Sequence, residues 1–158
     1  MQESPFLKEA EEAFTRFKTL TGLEYLREAI ARKHNYPFGE LMKMHVTEAE
    51  DGAVTVEAEL SHQFYNPMMR VHGGYLATLV DSSLGSAVIT KLPAGSGAGT
   101  VSLNIHYVKK VEVETGKLFA RATVLHAGRT MLTAETKITD AQGKLYVHGS
   151  GTFLIYLK

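Results

Sequence analysis

Residues 64–89 read FYNPMMRVHGGYLATLVDSSLGSAVI, a long segment that is nearly all apolar or small and yet carries one carboxylate, Asp81, in its middle. From Gly74 to Ile89 the stretch predicts a helix of about four turns at a rise of 1.5 Å per residue. Leu76, Leu79, Val80 and Leu84 cover one broad side of it. Gly74, Ala77, Thr78, Asp81, Gly85 and Val88 recur at helical spacing as a second stripe made almost wholly of small residues. A helix that is apolar nearly all round belongs in the interior, and a small-residue stripe lets other backbone come close. Asp81 is therefore expected to face a narrow space instead of bulk water, where a carboxylate must be hydrogen-bonded or chemically employed.

On the N-terminal side of this helix the period of the sequence is two. Leu41–Glu48 and Val54–Leu60 read as strands joined by the hairpin signal Glu50-Asp51-Gly52, and 61–71 leads irregularly into the helix. Further upstream the spacing turns helical. Ser4-Pro5 suits an N-cap and first turn, with Phe6, Ala10, Ala13, Phe14 and Phe17 following to about Lys18. Thr21 can cap a second helix that buries Leu23, Leu26, Ile30 and Tyr25 and ends before Tyr36-Pro37. Residues 1–36 thus form a helical extension, and 37–158 the main domain.

Downstream, PAGSGAG (93–99) reads as a short flexible loop, either a lid beside a ligand or, preferably, a plain connector. A third strand carries Val101, Leu103, Ile105 and Tyr107 on one face and Ser102, Asn104 and His106 on the other. Strands at 117–125, 131–139 and 145–157 complete the pattern, with turns at Gly128-Arg129 and Asp140–Gly143. Six antiparallel strands and one apolar helix make an α+β domain, and the helix is most simply buried by a sheet that curls around it.

Composition narrows the function. The 158 residues suffice for one domain with a real core. Lys plus Arg and Asp plus Glu number 17 each, so no global charge points to nucleic acid or to a membrane surface. Cysteine is absent, which rules out a disulfide framework and a thiol nucleophile. Early acidic residues break up any secretory signal, and no apolar run is long enough to span a bilayer. A soluble cytoplasmic protein is the default expectation. The seven histidines show no metal-ligand spacing, and no G-x-S-x-G elbow is present, so neither a metal nor a serine triad is expected.

What remains is a constellation around the central helix. His72-Gly73-Gly74 precedes it, and unobstructed N–H groups at a helix start, reinforced by the helix dipole, suit a developing negative charge. Asp81, nine residues after His72, can act as general base or nucleophile toward a carbonyl held there. Asn66 offers a neutral donor and acceptor in the loop that delivers the chain to the helix. This N-x5-HGG-x6-D pattern, with hairpins on both sides, resembles the hotdog-fold acyl-CoA thioesterases of the phenylacetate-pathway (PaaI-like) group over roughly Phe38–Tyr156. Val124-x3-Gly128-Arg129 and Asp140-x2-Gly143 look like the family's segments as well.

The resemblance implies a hotdog fold and hydrolysis of an acyl-CoA thioester to a free acid and coenzyme A without a cofactor. By position it assigns the Gly73 amide, with Gly74 beside it, to the thioester carbonyl, and Asn66 to orienting that carbonyl or the water. Asp81 activates water or attacks, and His72 fixes the turn. Thr100 stands where relatives often carry a small hydroxyl residue near the water. Lys109-Lys110 stands where they often have a proline. In such enzymes the carboxylate and the carbonyl-binding loop come from different subunits, so the expected partners are the acyl-CoA substrate and further copies of the chain, as a homodimer or homotetramer. Arg70, Lys109, Lys110 and Arg129 are the candidate cations for the coenzyme A phosphates. Two other classes stay open: a hotdog hydratase or dehydratase, separable by assaying water addition to an enoyl-CoA, and a non-catalytic acyl-CoA-binding or sensing domain.

Overall fold

The computed structural model of the chain describes residues 5–157. Its organising element is helix α4 (Gly73–Ile89), which packs against all six strands of one antiparallel sheet. Three helices precede it, α1 (Pro5–Thr19), α2 (Gly22–Arg32) and α3 (Pro37–Met42). The strands are β1 (Met44–Glu50), β2 (Ala53–Ala58), β3 (Ser96–Tyr107), β4 (Leu118–Ala127), β5 (Met131–Thr139) and β6 (Leu145–Leu157). Their order is β1-β2-β4-β5-β6-β3, so the strands flanking α4 in sequence lie at different places in the sheet, and β1 and β3 are its two edges.

The curl follows from where the apolar side chains sit. Leu79, Val80, Leu84 and Val88 of α4 are fully enclosed by Val56, Leu118, Leu132, Ile138, Val147 and Phe153 from the concave face. Such burial contributes about 1.5–3 kcal/mol per large side chain. Close approach is enforced at Gly149 of β6, where an added Cβ would press on Val80. The small-residue stripe fares differently from the expectation of all-round burial. Asp81 and Gly85 are only half-buried, because the two edges of the sheet do not close over them.

The N-terminal helices lie against this opening. Thr21 and Glu24 form a reciprocal capping box at the start of α2, with Thr21 N–H donating to Glu24 Oε2 at 2.9 Å. That hydrogen-bonded geometry holds the Glu24 carboxyl below its ordinary pKa. Gly22 abuts the end of α4 so closely that a side chain would collide with the Ile89 carbonyl. Ser4, expected as the cap of α1, and the side chain of Phe6 lie outside the described residues.

The strand ends at Glu48 and Leu60 shift by two residues, to Glu50 and Ala58, and two boundaries differ more from the sequence reading. The strand expected from Leu41 starts at Met44, because Pro37 at the first helical position initiates α3, which ends at Lys43 in the left-handed conformation (φ 53°). The loop expected over 93–99 is mostly strand. Ser96–Gly99 pair with 154–157 of β6, and the Tyr156 ring lies so close over Gly97 that no side chain would fit. Glycines there serve close packing, not mobility.

Candidate functional site at the start and middle of the central helix

The chain reaches α4 through a tied loop. After a short 3-10 turn at His62–Phe64, Tyr65 and Val71 form an isolated bridge that closes a tight turn over 66–70. Asn66 organises it: its Oδ1 accepts from the N–H of Met68 (3.0 Å) and of Arg70 (3.2 Å), and its N–H donates to the Arg70 carbonyl at 2.7 Å. Met69 is thereby held at φ 57°. The Asn66 acceptor is committed to the loop, which leaves only its amide nitrogen for a ligand. Below the loop Phe64 stacks on Tyr75 at 4.2 Å, and the Tyr75 hydroxyl donates to the Met42 carbonyl at 3.0 Å. Burial, with Glu59 adding to it, pushes that phenol far above its ordinary pKa, so it remains a neutral donor.

His72 is the N-cap of α4. Its Nδ1 accepts from the Gly74 N–H at 2.8 Å, so that nitrogen is unprotonated, and its carbonyl accepts from the N–H groups of Tyr75 and Leu76. Among the described residues one N–H of the first turn is left without an acceptor, that of Gly73. The Gly73 carbonyl accepts from the Tyr107 hydroxyl at 2.9 Å, and the Tyr107 ring stands about where a Gly73 side chain would point. From the sequence Tyr107 reads only as a strand residue. No local signal marks it, since the contact joins positions 34 apart.

Asp81 lies two turns further along. Thr100 donates to its Oδ1 at 2.8 Å, and among the described residues no cation and no second donor reaches it. A bulge between Thr100 and Ser102 in the β3–β6 ladder sets that contact. It aligns Thr100 with the inward Phe153 and turns the hydroxyl toward the helix. Asp81 and Thr100 also line a cavity of about 730 Å³ that reaches α2 and β1. Eight residues separate Gly73 from Asp81, about 12 Å along the axis and about 80° around it.

The four candidate cations fall into three situations. Arg70 and Lys110 both pair with Glu112, at 2.9 and 3.2 Å. Lys109 is exposed beside them and, among the described residues, has no ion pair. Arg129 is likewise exposed and without an ion pair, but it lies beyond the opposite end of β3, where Met131 is level with Leu154 and Gly99. From Gly99 to Tyr107 the strand runs about 26 Å. One chain therefore cannot close all four on a single phosphate group. The described residues contain no group of three or more potential metal ligands, and no helix among them is long and apolar enough to cross a membrane.

The chain is similar to known proteins over much of its main domain. Residues 68–147, just over half the chain, match the family described as the thioesterase superfamily. A Halobacterium salinarum protein named as a candidate esterase is 33% identical over 94 residues, covering 54% of this chain and 60% of that protein, less than two thirds of its length. Human acyl-coenzyme A thioesterase 13 is 28% identical over 113 residues, 71% of this chain and 79% of the human one. Among solved structures, a variant of the phenylacetic acid degradation protein PaaI from Thermus thermophilus superposes with a TM-score of 0.68 at 26% identity, covering 75% of this chain and 97% of that one.

Proposed function

The chain belongs to the thioesterase superfamily, and on that premise we propose that it hydrolyses an acyl-CoA thioester to a carboxylic acid and coenzyme A, at sites shared between two copies. The observation that carries the reading is the pairing of an unpartnered Gly73 N–H at a helix start with a carboxylate, Asp81, that has one oxygen held by Thr100 and the other unengaged. In the proposed reaction the thioester carbonyl accepts from the Gly73 N–H, and Asp81 takes a proton from a water that attacks the carbonyl carbon. The tetrahedral intermediate collapses with cleavage of the C–S bond. The proton held by Asp81 passes to the departing sulfur, so the carboxylate is restored.

Reacting atoms in attack geometry sit about 3–3.5 Å apart, whereas Gly73 and Asp81 of one chain are about 12 Å apart along α4. The shared-site reading removes that mismatch by bringing one copy's helix start opposite the other's Asp81. The edge strand β3 supports it. Val101, Leu103 and Tyr107 are 58%, 38% and 52% exposed there, and among the described residues β6 is the strand's sole partner in the sheet. Within this reading residues 37–158 form the catalytic domain and 1–36 an extension.

The test is release of free thiol from short-, medium-, long-chain and aryl acyl-CoAs, with assembly measured by light scattering on the same sample. Turnover on at least one class by a dimer or tetramer is expected. A fully active monomer at micromolar concentration would refute the shared site. Tight binding of acyl-CoA without hydrolysis of any class would favour a sensing role and overturn the hydrolase.

A further inference from the structure

The two edges of the sheet leave one side of α4 uncovered by strands, and α2 closes that side. Long-range bonds give the directions. Gly52 N–H reaches the Thr90 hydroxyl and the Tyr75 hydroxyl reaches the Met42 carbonyl, so β1 runs alongside α4 in the same sense. Gly22 N–H reaches the Leu92 carbonyl and the Asn35 amide reaches the Met44 carbonyl, so α2 runs back the opposite way. The half-open space between them, about 730 Å³, is of the size that takes a small ligand. Its α4 wall begins at Asp81, passes Gly85 and ends at Ile89, about 12 Å on.

The character of the walls changes along that length. Level with Asp81 the lining is polar, with Thr100 on one side and His45 on the other. Toward Ile89 it is mostly apolar: Phe17 and Tyr25, in edge contact at 5.5 Å, with Leu26 and Ile30 beside Ser86, while Phe153 stands level with Thr100. At the middle, Gly85 contributes no side chain, and an added Cβ would find nothing closer than the Phe153 ring at 3.9 Å. A cleft that starts at the reacting carboxylate and becomes more apolar toward an aromatic pair fits the tail of the substrate, not its polar head.

We propose that this cavity receives the acyl chain and that the N-terminal helices thereby set the length of aliphatic acyl group that the site accepts, favouring chains of medium length. The assignment rests on the thioesterase reading for its chemistry, but not for its binding, because the channel would hold the tail of an analogue that cannot be cleaved. Each methylene it buries strengthens binding by about fourfold, the equivalent of about 0.8 kcal/mol, until the chain reaches the Phe17–Tyr25 end. Beyond that length the gain stops.

The experiment uses the full chain and a series of S-alkyl-CoA thioethers from two to sixteen carbons, titrated by calorimetry, beside thiol release from the matching acyl-CoAs. Affinity and kcat/KM should rise with chain length and level off at a medium length. Gly85→Leu, which plugs the channel from α4 while improving helix propensity, should move the optimum to shorter chains, and Ala29→Phe should do the same from the α2 side. Either variant alone carries the test if the other folds poorly. Affinity independent of chain length, an optimum unmoved by both variants, or a preference for aryl-CoA would overturn the proposal while leaving a hydrolase in place. Length-dependent thioether binding without hydrolysis of any thioester would do the reverse, keeping the channel and removing the hydrolase.

Discussion

The start of α4 and its middle are built by different parts of the chain. At the start, Asn66 closes its own loop and His72 caps the Gly74 N–H, bonds that span fewer than five residues; the Tyr107 hydroxyl is the long-range contact on the Gly73 peptide. At the middle, Asp81 depends on Thr100, 19 residues away on an edge strand, and on a cavity whose far wall comes from α1 and α2. The donor end is thus largely a local motif, set by the residues that immediately precede the helix. The carboxylate end is a tertiary arrangement, sensitive to how β3 is paired and to what covers the gap between the sheet edges. Substitutions at the two ends should differ accordingly in how they fail and in what rescues them.

The largest effects are expected where each end loses its reacting group. Asp81→Asn keeps volume and removes basicity, and should cost at least ~10²-fold in kcat, with the thermal midpoint and acyl-CoA affinity little changed. Gly73→Val blocks approach to the unpaired N–H and should cost on the order of 10²-fold or more. If the two ends meet only across copies, co-folding the two inactive variants should restore roughly a quarter of wild-type turnover, since half the dimers are hybrids and each keeps one intact site. No recovery, with hybrids confirmed, would place both groups in one chain and erase the contrast. Unchanged turnover in Asp81→Asn alone would remove the mechanism.

Next in size comes the tie between strand and carboxylate. Thr100→Val removes the hydroxyl that holds Asp81 Oδ1. A bond to a charged group supports an expected loss of on the order of tenfold in kcat, partly restored by Thr100→Ser. A loss that Ser does not restore would mean the threonine serves packing at the bulge. Tyr107→Phe tests the same dependence at the other end. It deletes the long-range bond to the Gly73 peptide and should lower kcat by a few-fold, the scale of one neutral hydrogen bond, with KM nearly constant.

This division also accounts for what can be read from residues alone. The helix, its glycine pair and the carboxylate in its small stripe are legible because 3.6-residue spacing and capping act over a few positions. The six strands and the curl follow from alternation. Ser96–Gly99 reads as a loop because four small residues carry no periodicity, and only the register with 154–157 makes them strand. Leu41 and Met42 read as strand because Pro37 initiates a helical turn too short to show a pattern. Asn66 is expected from the sequence to orient the carbonyl or the water, and the loop contacts of its Oδ1, which leave the side-chain nitrogen for that role, cannot be read from the sequence. The role of Tyr107 and the cavity are invisible in the sequence, since each depends on which distant elements the topology brings together.

The smallest effects concern the cations, and they extend the comparison from the helix to the surface around it. Glu112 already neutralises Arg70 and Lys110 beside the donor loop, so these two offer little charge to a phosphate. Lys109 and Arg129, at opposite ends of β3, have no ion pair among the described residues. An exposed ion contact is worth at most about 1 kcal/mol. Lys109→Ala and Arg129→Ala should therefore each raise KM for acyl-CoA by roughly two- to fivefold, with kcat unchanged because a distant phosphate contact serves ground and transition states alike. Arg70→Ala should do less. Added salt should shrink the difference between variant and wild type, and a truncated thioester without the nucleotide should abolish it. Because about 26 Å of strand separates the two ends, an effect of both residues on one substrate is expected only if Lys109 of one copy and Arg129 of the other flank the same nucleotide. Equal losses on the full and the truncated thioester would make both cations structural and leave the nucleotide without a place on this surface.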